Sequence, residues 1–383
     1  MTSRTHYLQT PQIAIIFLSF FLLAVPVAFL QVSPDVPEYL GRWLTLGYAI
    51  IFGNTHFAIT WALYLNSANL RHFASTPGRK AVYFLGPPVI LVAFWYLGVR
   101  QAPTPGTSAF ILFTVAFTAI DYFHAVRQSF GVYEMFRSRT GARFPSWMPN
   151  VDNGYFLALW ALQIITFIRG LTNGFAGAFD PADPFTRMGL AATAVLLVLM
   201  LRSLASAWQS GEDRNAVLAA LGYLVLQSAS ALMVVYQARL FVASLAMHYV
   251  EYHVLMAPRL FTVPLESSSS ADRVAGWFRR HRLGFYLALL LIATWASSAS
   301  LFSMSGLPVR PDGPQFGWYL VNMMNGIFMA HYFIEAFVWK FGNPFYRQTL
   351  GPVYFAAQSE PSVPDGRQGG RTASPPVSAR SRR

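Results

Sequence analysis

The residues best equipped for chemistry are histidines and carboxylates set in long apolar stretches. They read GNTHFAIT around His56, AIDYFHAV around His124, LAMHYVEYHVLM around His248 and His253, and MAHYFIEAF around His331. Asp121 precedes His124 by three positions, Glu251 follows His248 by three, and Glu335 follows His331 by four. On an α-helix these spacings stack both side chains on one face, about one turn apart. Ionisable groups are costly inside a bilayer, so they turn toward the bundle interior and mark function. Imidazole and carboxylate together suit iron, zinc or manganese. Carboxylates and histidines projecting inward from several helices form the di-iron carboxylate arrangement, enriched here in histidine.

The expected metal ligands are therefore His56, His124, His248 and His331. Asp121, Glu251 and Glu335 are expected as bridging or terminal ligands, as catalytic carboxylates, or as groups that orient the imidazoles. His253 lies five residues from His248, roughly 140° around the helix, and is expected to bind a second metal or to support the first ligands. Arg127 and Gln128, just past His124, are placed to bind an anionic head group, cofactor or substrate. Asn54 and Thr60 flank His56 as potential hydrogen-bonding partners. A single intramembrane histidine is more often a packing residue than a ligand; four on separate helices are harder to assign to packing. The same reasoning assigns Tyr122, Tyr249, Tyr252 and Tyr332 to packing, His72 to solvent or lipid, and Trp339 and Lys340 to the membrane interface.

Four such segments must be positioned by helices. The 383-residue chain is 54% hydrophobic, 16% aromatic and only 11% charged, the composition of an integral membrane protein. Spans of roughly 20 residues are expected near 12–30, 43–65, 81–99, 108–128, 154–172, 187–205, 216–236, 240–258, 283–303 and 317–340. The first is too long for a signal-peptide core and reads as a retained span. The short junction Tyr236-Gln237-Ala238-Arg239 leaves open a turn, giving ten spans, or a continuous helix, giving nine. With both termini in the cytoplasm, Arg42, Arg100, Arg187, Arg239 and Arg310 alone fall in outside loops and Arg169 within a span; every other Lys and Arg lies inside. That asymmetry follows the positive-inside rule and favours the turn.

On this topology the histidine-bearing spans all run from outside to inside, with each histidine in the cytoplasmic half. The expected fold is all-α, a polytopic helix bundle over residues 1–357, followed by a disordered Pro/Ser/Gly/Arg-rich tail over 358–383. A bacterial inner membrane is the expected location. The net charge of +12 fits topology and anionic lipid rather than nucleic acid. The absence of cysteine excludes disulfides, thiolate-bound clusters, a cysteine nucleophile and c-type haem. No phosphate loop, serine nucleophile elbow or HExxH motif is present.

In ligand type and polytopic setting the chain is similar to multi-histidine membrane metalloenzymes, namely fatty-acid desaturases and hydroxylases and the bacterial carotene dioxygenases. The HxxxH and HxxHH boxes of the desaturases are absent, and no residue role is carried over. The resemblance and the ligand chemistry together imply an oxygen-dependent oxidoreductase acting on a lipid-soluble substrate such as an acyl chain, isoprenoid or quinone. One or two non-haem irons would serve it, with zinc or manganese as alternatives and an electron donor as a possible partner. Two other classes compete. A b-type haem electron-transfer protein needs facing histidines but not clustered carboxylates. A proton-coupled transporter would use the cluster as a relay and would show broken helices or inverted repeats.

Overall fold

The computed structural model describes residues 10–100, 108–172, 179–210, 213–261, 270–296, 316–340 and 342–354. All the secondary structure within them is helical. Long runs follow one another: α1 (10–32), α2 (38–65), α4 (77–100), α5 (Ser108–Ser138), α6 (Met148–Thr172), α7 (Pro184–Gln209), α8 (Arg214–Tyr236), α9 (238–261), α11 (Arg282–Ala296) and α12 (Phe316–Val338). Shorter helices α3 (Ser67–Phe73), α10 (Ser270–Arg280), α13 (Pro344–Thr349) and α14 (Gly351–Tyr354) lie between or after them. Among the described residues, Pro11–Val32, Met148–Leu171, Pro184–Gln209, Arg214–Tyr236 and Ala238–Leu260 are long and apolar enough to cross a membrane, and Arg282–Trp295 is a shorter apolar helix. The architecture is that of a polytopic membrane helix bundle. The expected tail, 358–383, lies outside the described residues, as does the far end of the span near 283–303.

Local signals set the boundaries. Asp183 accepts from the Thr186 amide at 2.6 Å and Pro184 occupies the first turn of α7; both are standard helix starts. Arg169, read as lying within a span, pairs with Asp183 and donates to Thr186 at 2.9 Å, so it sits at the end of α6 where α7 begins. The junction after α8 is a turn: Gln237 is extended, at φ −151° and ψ 111°, before the chain re-enters a helix at Ala238. α5 runs on to Ser138, and the chain reverses at Gly141, whose φ of 74° favours glycine.

Helix α2 is irregular where it matters. A π-helical segment, Ala49–Asn54, immediately precedes Thr55 and His56, and Trp61–Leu65 closes the helix as a 3₁₀ turn. Such π segments shift side-chain register by about one residue and recur at functional sites. α12 packs along α4, and glycines let them approach. A Cβ on Gly326 would lie 3.0 Å from Phe94 Cβ and 3.3 Å from the Leu91 backbone. Gly326→Leu is expected to push α12 off α4, at a cost of about 1–3 kcal/mol, and to displace His331 one turn later; thermal unfolding in detergent and metal content would show both.

The C-terminal helices fold back over one end of the bundle. The Tyr83 and Tyr346 hydroxyls meet at 3.1 Å, and Tyr354 donates to the Leu255 carbonyl. This corrects the expectation for His72. Its ring is buried and stacks on Phe345 at 4.0 Å between centroids and 9° between planes. Burial, aided by the charge of Arg79, holds its pKa below the ordinary imidazole value. Trp339 is likewise not a lipid-facing anchor: it lies against Arg259 at 4.0 Å and donates to Glu335 at 3.4 Å.

Candidate metal centre

Helices α2, α5, α9 and α12 bring His56, His124, His248 and His331 together. Ring centroids are 4.6 Å apart for His56–His248, 4.8 Å for His56–His331, 5.0 Å for His124–His331 and 5.2 Å for His124–His248. The common depth expected along the four segments is thus met in space. Within this group the ligand atoms of His56, His124 and His331 converge most closely, all within 4.8 Å of one another. His56 Nε2 lies 3.1 Å from His331 Nε2. Glu335 Oε2 lies 3.4 Å from His124 Nε2 and 3.9 Å from His331 Nε2. Two donors held at about 2.0–2.2 Å from one ion lie roughly 2.8–3.6 Å apart at octahedral or tetrahedral angles, and about 4.0–4.4 Å apart across it. The 3.1, 3.4 and 3.9 Å pairs lie in or near these ranges, while the histidine group as a whole, spread over up to 4.8 Å, would have to draw in slightly around an ion.

Hydrogen bonds fix the orientation of His331. Its Nδ1 lies 2.7 Å from Thr60 Oγ1, which lies 2.5 Å from the Tyr252 hydroxyl. Tyr252 neighbours Glu335, which accepts from the Trp339 indole at 3.4 Å. With Glu335 ionised, as a metal-bound carboxylate is, the chain would run in one direction, because such a carboxylate only accepts. Tyr252 would then point at Glu335, Thr60 would donate to Tyr252, and His331 Nδ1–H would donate to Thr60. His331 Nε2 would be left as a bare lone pair aimed at His56 and His124. This is the tautomer a metal ligand needs, held by an outer partner in the usual way. Thr60, placed by the sequence near His56, in fact serves His331.

The remaining atoms agree with a donor set short of one partner. His124 Nε2, His56 Nδ1 and His248 Nδ1 are buried with no hydrogen-bond partner. Buried polar atoms without partners are uncommon and call for a ligand, an ion or water. The alternative is a chain of neutral histidines bonded to each other. It accounts for the 3.1 Å His56–His331 contact and offers His124 Nε2 only the Glu335 carboxylate, 3.4 Å away and outside hydrogen-bond geometry.

The other residues expected at the site are distributed around it. Asp121 does not touch the histidines: it accepts from the Tyr332 hydroxyl, and the Tyr332 ring stacks on His124 at 4.3 Å. Glu251 faces α5 and α8, beside Tyr223 and accepting from Gln128 Nε2 at 3.5 Å. Gln128 also holds the His248 carbonyl at 2.9 Å. Arg127 turns outward, is exposed, and bonds Asn153, so it does not face the cluster. His253 is turned away by its 140° offset. Its Nε2 meets Thr55 Oγ1 at 3.1 Å, while Nδ1 is buried without a partner. Thr55 follows the π segment of α2 and also donates to the Ile51 carbonyl within it.

Each of the three carboxylates lies beside a phenol: Asp121 accepts from Tyr332, while Tyr223 neighbours Glu251 and Tyr252 neighbours Glu335. Sequence reasoning assigned Tyr252 and Tyr332 to packing and passed over Tyr223. None of these partners is at helical spacing from its carboxylate, so no local signal marks the pairs. On the far side, His248 closes one end of a cavity walled by Tyr122, Phe156, Leu159 and Phe241, with Gln163 and Gln227 among its lining. The Tyr122 hydroxyl and the side-chain oxygens of Gln163 and Gln227 are buried without partners.

No protein-family model matches the chain, and no curated protein or solved structure is significantly similar to it. What the centre does has to be read from its own side chains.

Proposed function

We propose that the protein is an integral-membrane metalloenzyme whose ion is held by His56, His124, His331 and Glu335, and that it is an oxygen-dependent oxidoreductase acting on a lipid-soluble substrate. The observation that carries this reading is the convergence of the His56, His124 and His331 ligand atoms within 4.8 Å of one another, with Glu335 Oε2 3.4 Å from His124 Nε2 and His331 Nδ1 held by Thr60. A histidine-rich set with one carboxylate suits iron best among redox metals, and bound iron supplies O2 activation. His248 stands beside this set, as an additional ligand or a positioning residue. Asp121 acts through Tyr332, which holds His124 by stacking. Glu251 and Gln128 hold the backbone of α9 at His248. Tyr252 and Glu335 keep a proton within reach of the centre.

The recess against His248 is small, with room for about one or two water-sized groups, and its partnerless amide oxygens would take a neutral hydrogen-bond donor such as water or a hydroxyl. The haem alternative is less favoured, because the histidine rings pack against one another and against Tyr252 and Tyr332, leaving no slot for a macrocycle between them.

Metal analysis and an absorption spectrum of detergent-purified protein test this reading. One or two non-haem irons per chain, with oxygen uptake on adding a hydroxylated isoprenoid or fatty alcohol, are expected. A Soret band would replace the reading with a haem protein. Absence of metal under conditions that spare labile sites would leave the cluster as a proton path in a carrier.

A further inference from the structure

A second cluster of partnerless polar atoms lies apart from the histidines, where α2 ends and α9 gives way to α10 and α11. The pocket there is lined by Asn66, Asn69, Arg259 and Arg279 together with apolar residues that include Leu260 and Phe278. Two of its polar side chains are more than nine-tenths buried and carry a donor without an acceptor: Asn66 (5% exposed) through Nδ2 and Arg259 (4% exposed) through Nε.

Their orientations are fixed by other bonds. Asn66 Oδ1 caps α3 by accepting from the Asn69 amide at 3.1 Å, so its amino group is the end left over. Arg259 donates to the Val338 carbonyl at 2.7 Å and lies over Trp339, which leaves Nε directed elsewhere. Arg279 reaches the Leu260 carbonyl at 2.7 Å through its own Nε. Of the nearby carboxylates, Asp272 accepts from Ser67 N and Oγ at 2.9 and 2.6 Å and its charge also faces Arg279, and Glu335 sits in the histidine centre. The pocket thus offers donors and two guanidinium groups, with no orphan acceptor.

Helix α10 tells where this pocket sits. Its buried face carries Asp272 and Ala275, while Arg273, Val274, Trp277 and Arg280 are exposed together. A short helix that exposes arginine beside tryptophan and valine matches one lying in the head-group layer. We propose that the pocket between α2, α9, α10 and α11 binds the phosphate of an anionic membrane lipid, with Asn66 Nδ2 and Arg259 Nε as donors, Arg279 as a second cation, and the lipid backbone against Leu260 and Phe278. Because Arg259 also holds the end of α12, the lipid would brace the helix that carries His331 and Glu335. The proposal does not depend on a metal being present.

The test is lipid retention by the full-length protein in native mass spectrometry, after reconstitution with phosphatidylglycerol or phosphatidylcholine. Wild type is expected to retain phosphatidylglycerol selectively. Asn66→Asp keeps the oxygen that caps α3 but replaces the donor with negative charge, and is expected to weaken retention by about tenfold or more. Asn66→Ser keeps a capping oxygen without adding charge and separates donor loss from repulsion; it too is expected to lower retention. Equal retention of both lipids by wild type, or unchanged retention in both variants, would overturn the proposal. Saturable binding of inorganic phosphate that displaces phosphatidylglycerol would show that the pocket takes the free ion instead, and would equally overturn the assignment to lipid.

Discussion

His331→Ala is expected to strip the purified protein of its metal, while His253→Ala leaves the metal in place. The sequence ranks His331 as a ligand and leaves His253 to a second metal or a supporting role. The structure separates them further, since His331 Nε2 points at His56 and His124 whereas His253 Nε2 is bonded to Thr55. Removing one partner around a metal ligand costs about 10–100-fold in affinity, and removing the ligand itself should cost more. Thr60→Val should fall in that 10–100-fold range, because it releases the His331 ring without touching the ion. His253→Ala should instead lower stability by about 1–3 kcal/mol, the cost of a buried group left without its partner. Asp121→Asn should retain metal as well. Competition with a chelator, read by metal content and thermal unfolding, separates these outcomes. Loss of metal in His253→Ala equal to that in His331→Ala would mean that the centre is not assembled as described.

Arg137→Met is expected to be the most destabilising single change outside the centre. Arg137 is buried in the C-terminal part of α5, 2.6 Å from Glu134 and 3.1 Å from Asp152, and Asp152 is wholly buried. Removing one member of a buried ion pair leaves the other charge uncompensated, at a cost of about 3–5 kcal/mol. Arg137→Met with Asp152→Leu removes the fully buried partner and leaves Glu134, which is partly exposed, as the one unpaired charge, so it should recover part of that loss, since apolar replacement of a buried pair is often neutral. Unfolding of the single and double variants in detergent gives the comparison. A double variant no more stable than Arg137→Met would show that the pair does not account for the loss.

The convergence of four helices was legible in the sequence because period and depth are one-dimensional quantities. Turn spacing put His331 and Glu335 on one face, and distance to the basic flank put the histidines at a common level. What joins neighbouring faces was not legible. The Thr60–His331 and Tyr332–Asp121 bonds cross between helices far apart in the chain, and only packing order reveals them. Same-face spacing also overstated two carboxylates: Asp121 and Glu251 share a face with their histidines yet lie beside tyrosines. His253 was misplaced for a related reason. An offset of 140° shows that a residue leaves one face, but not that Thr55 on another helix will meet it. His72 and Trp339 were given to solvent or lipid because nothing in their flanks foretells that the C-terminal helices return over them.

The π segment in α2 has a consequence for anyone who edits this chain. Such a segment behaves as one residue inserted into an otherwise regular helix. Forcing regular α geometry on residues 49–54 without removing a residue would improve the helix by any local measure. It would also rotate the preceding part of α2 by about 100° relative to the part that carries His56. Either the lipid-facing surface or the histidine would then point the wrong way. Automated idealisation of this backbone would discard the irregularity as a defect and silence the centre with it, so that stretch of α2 should be held fixed in any stabilised design.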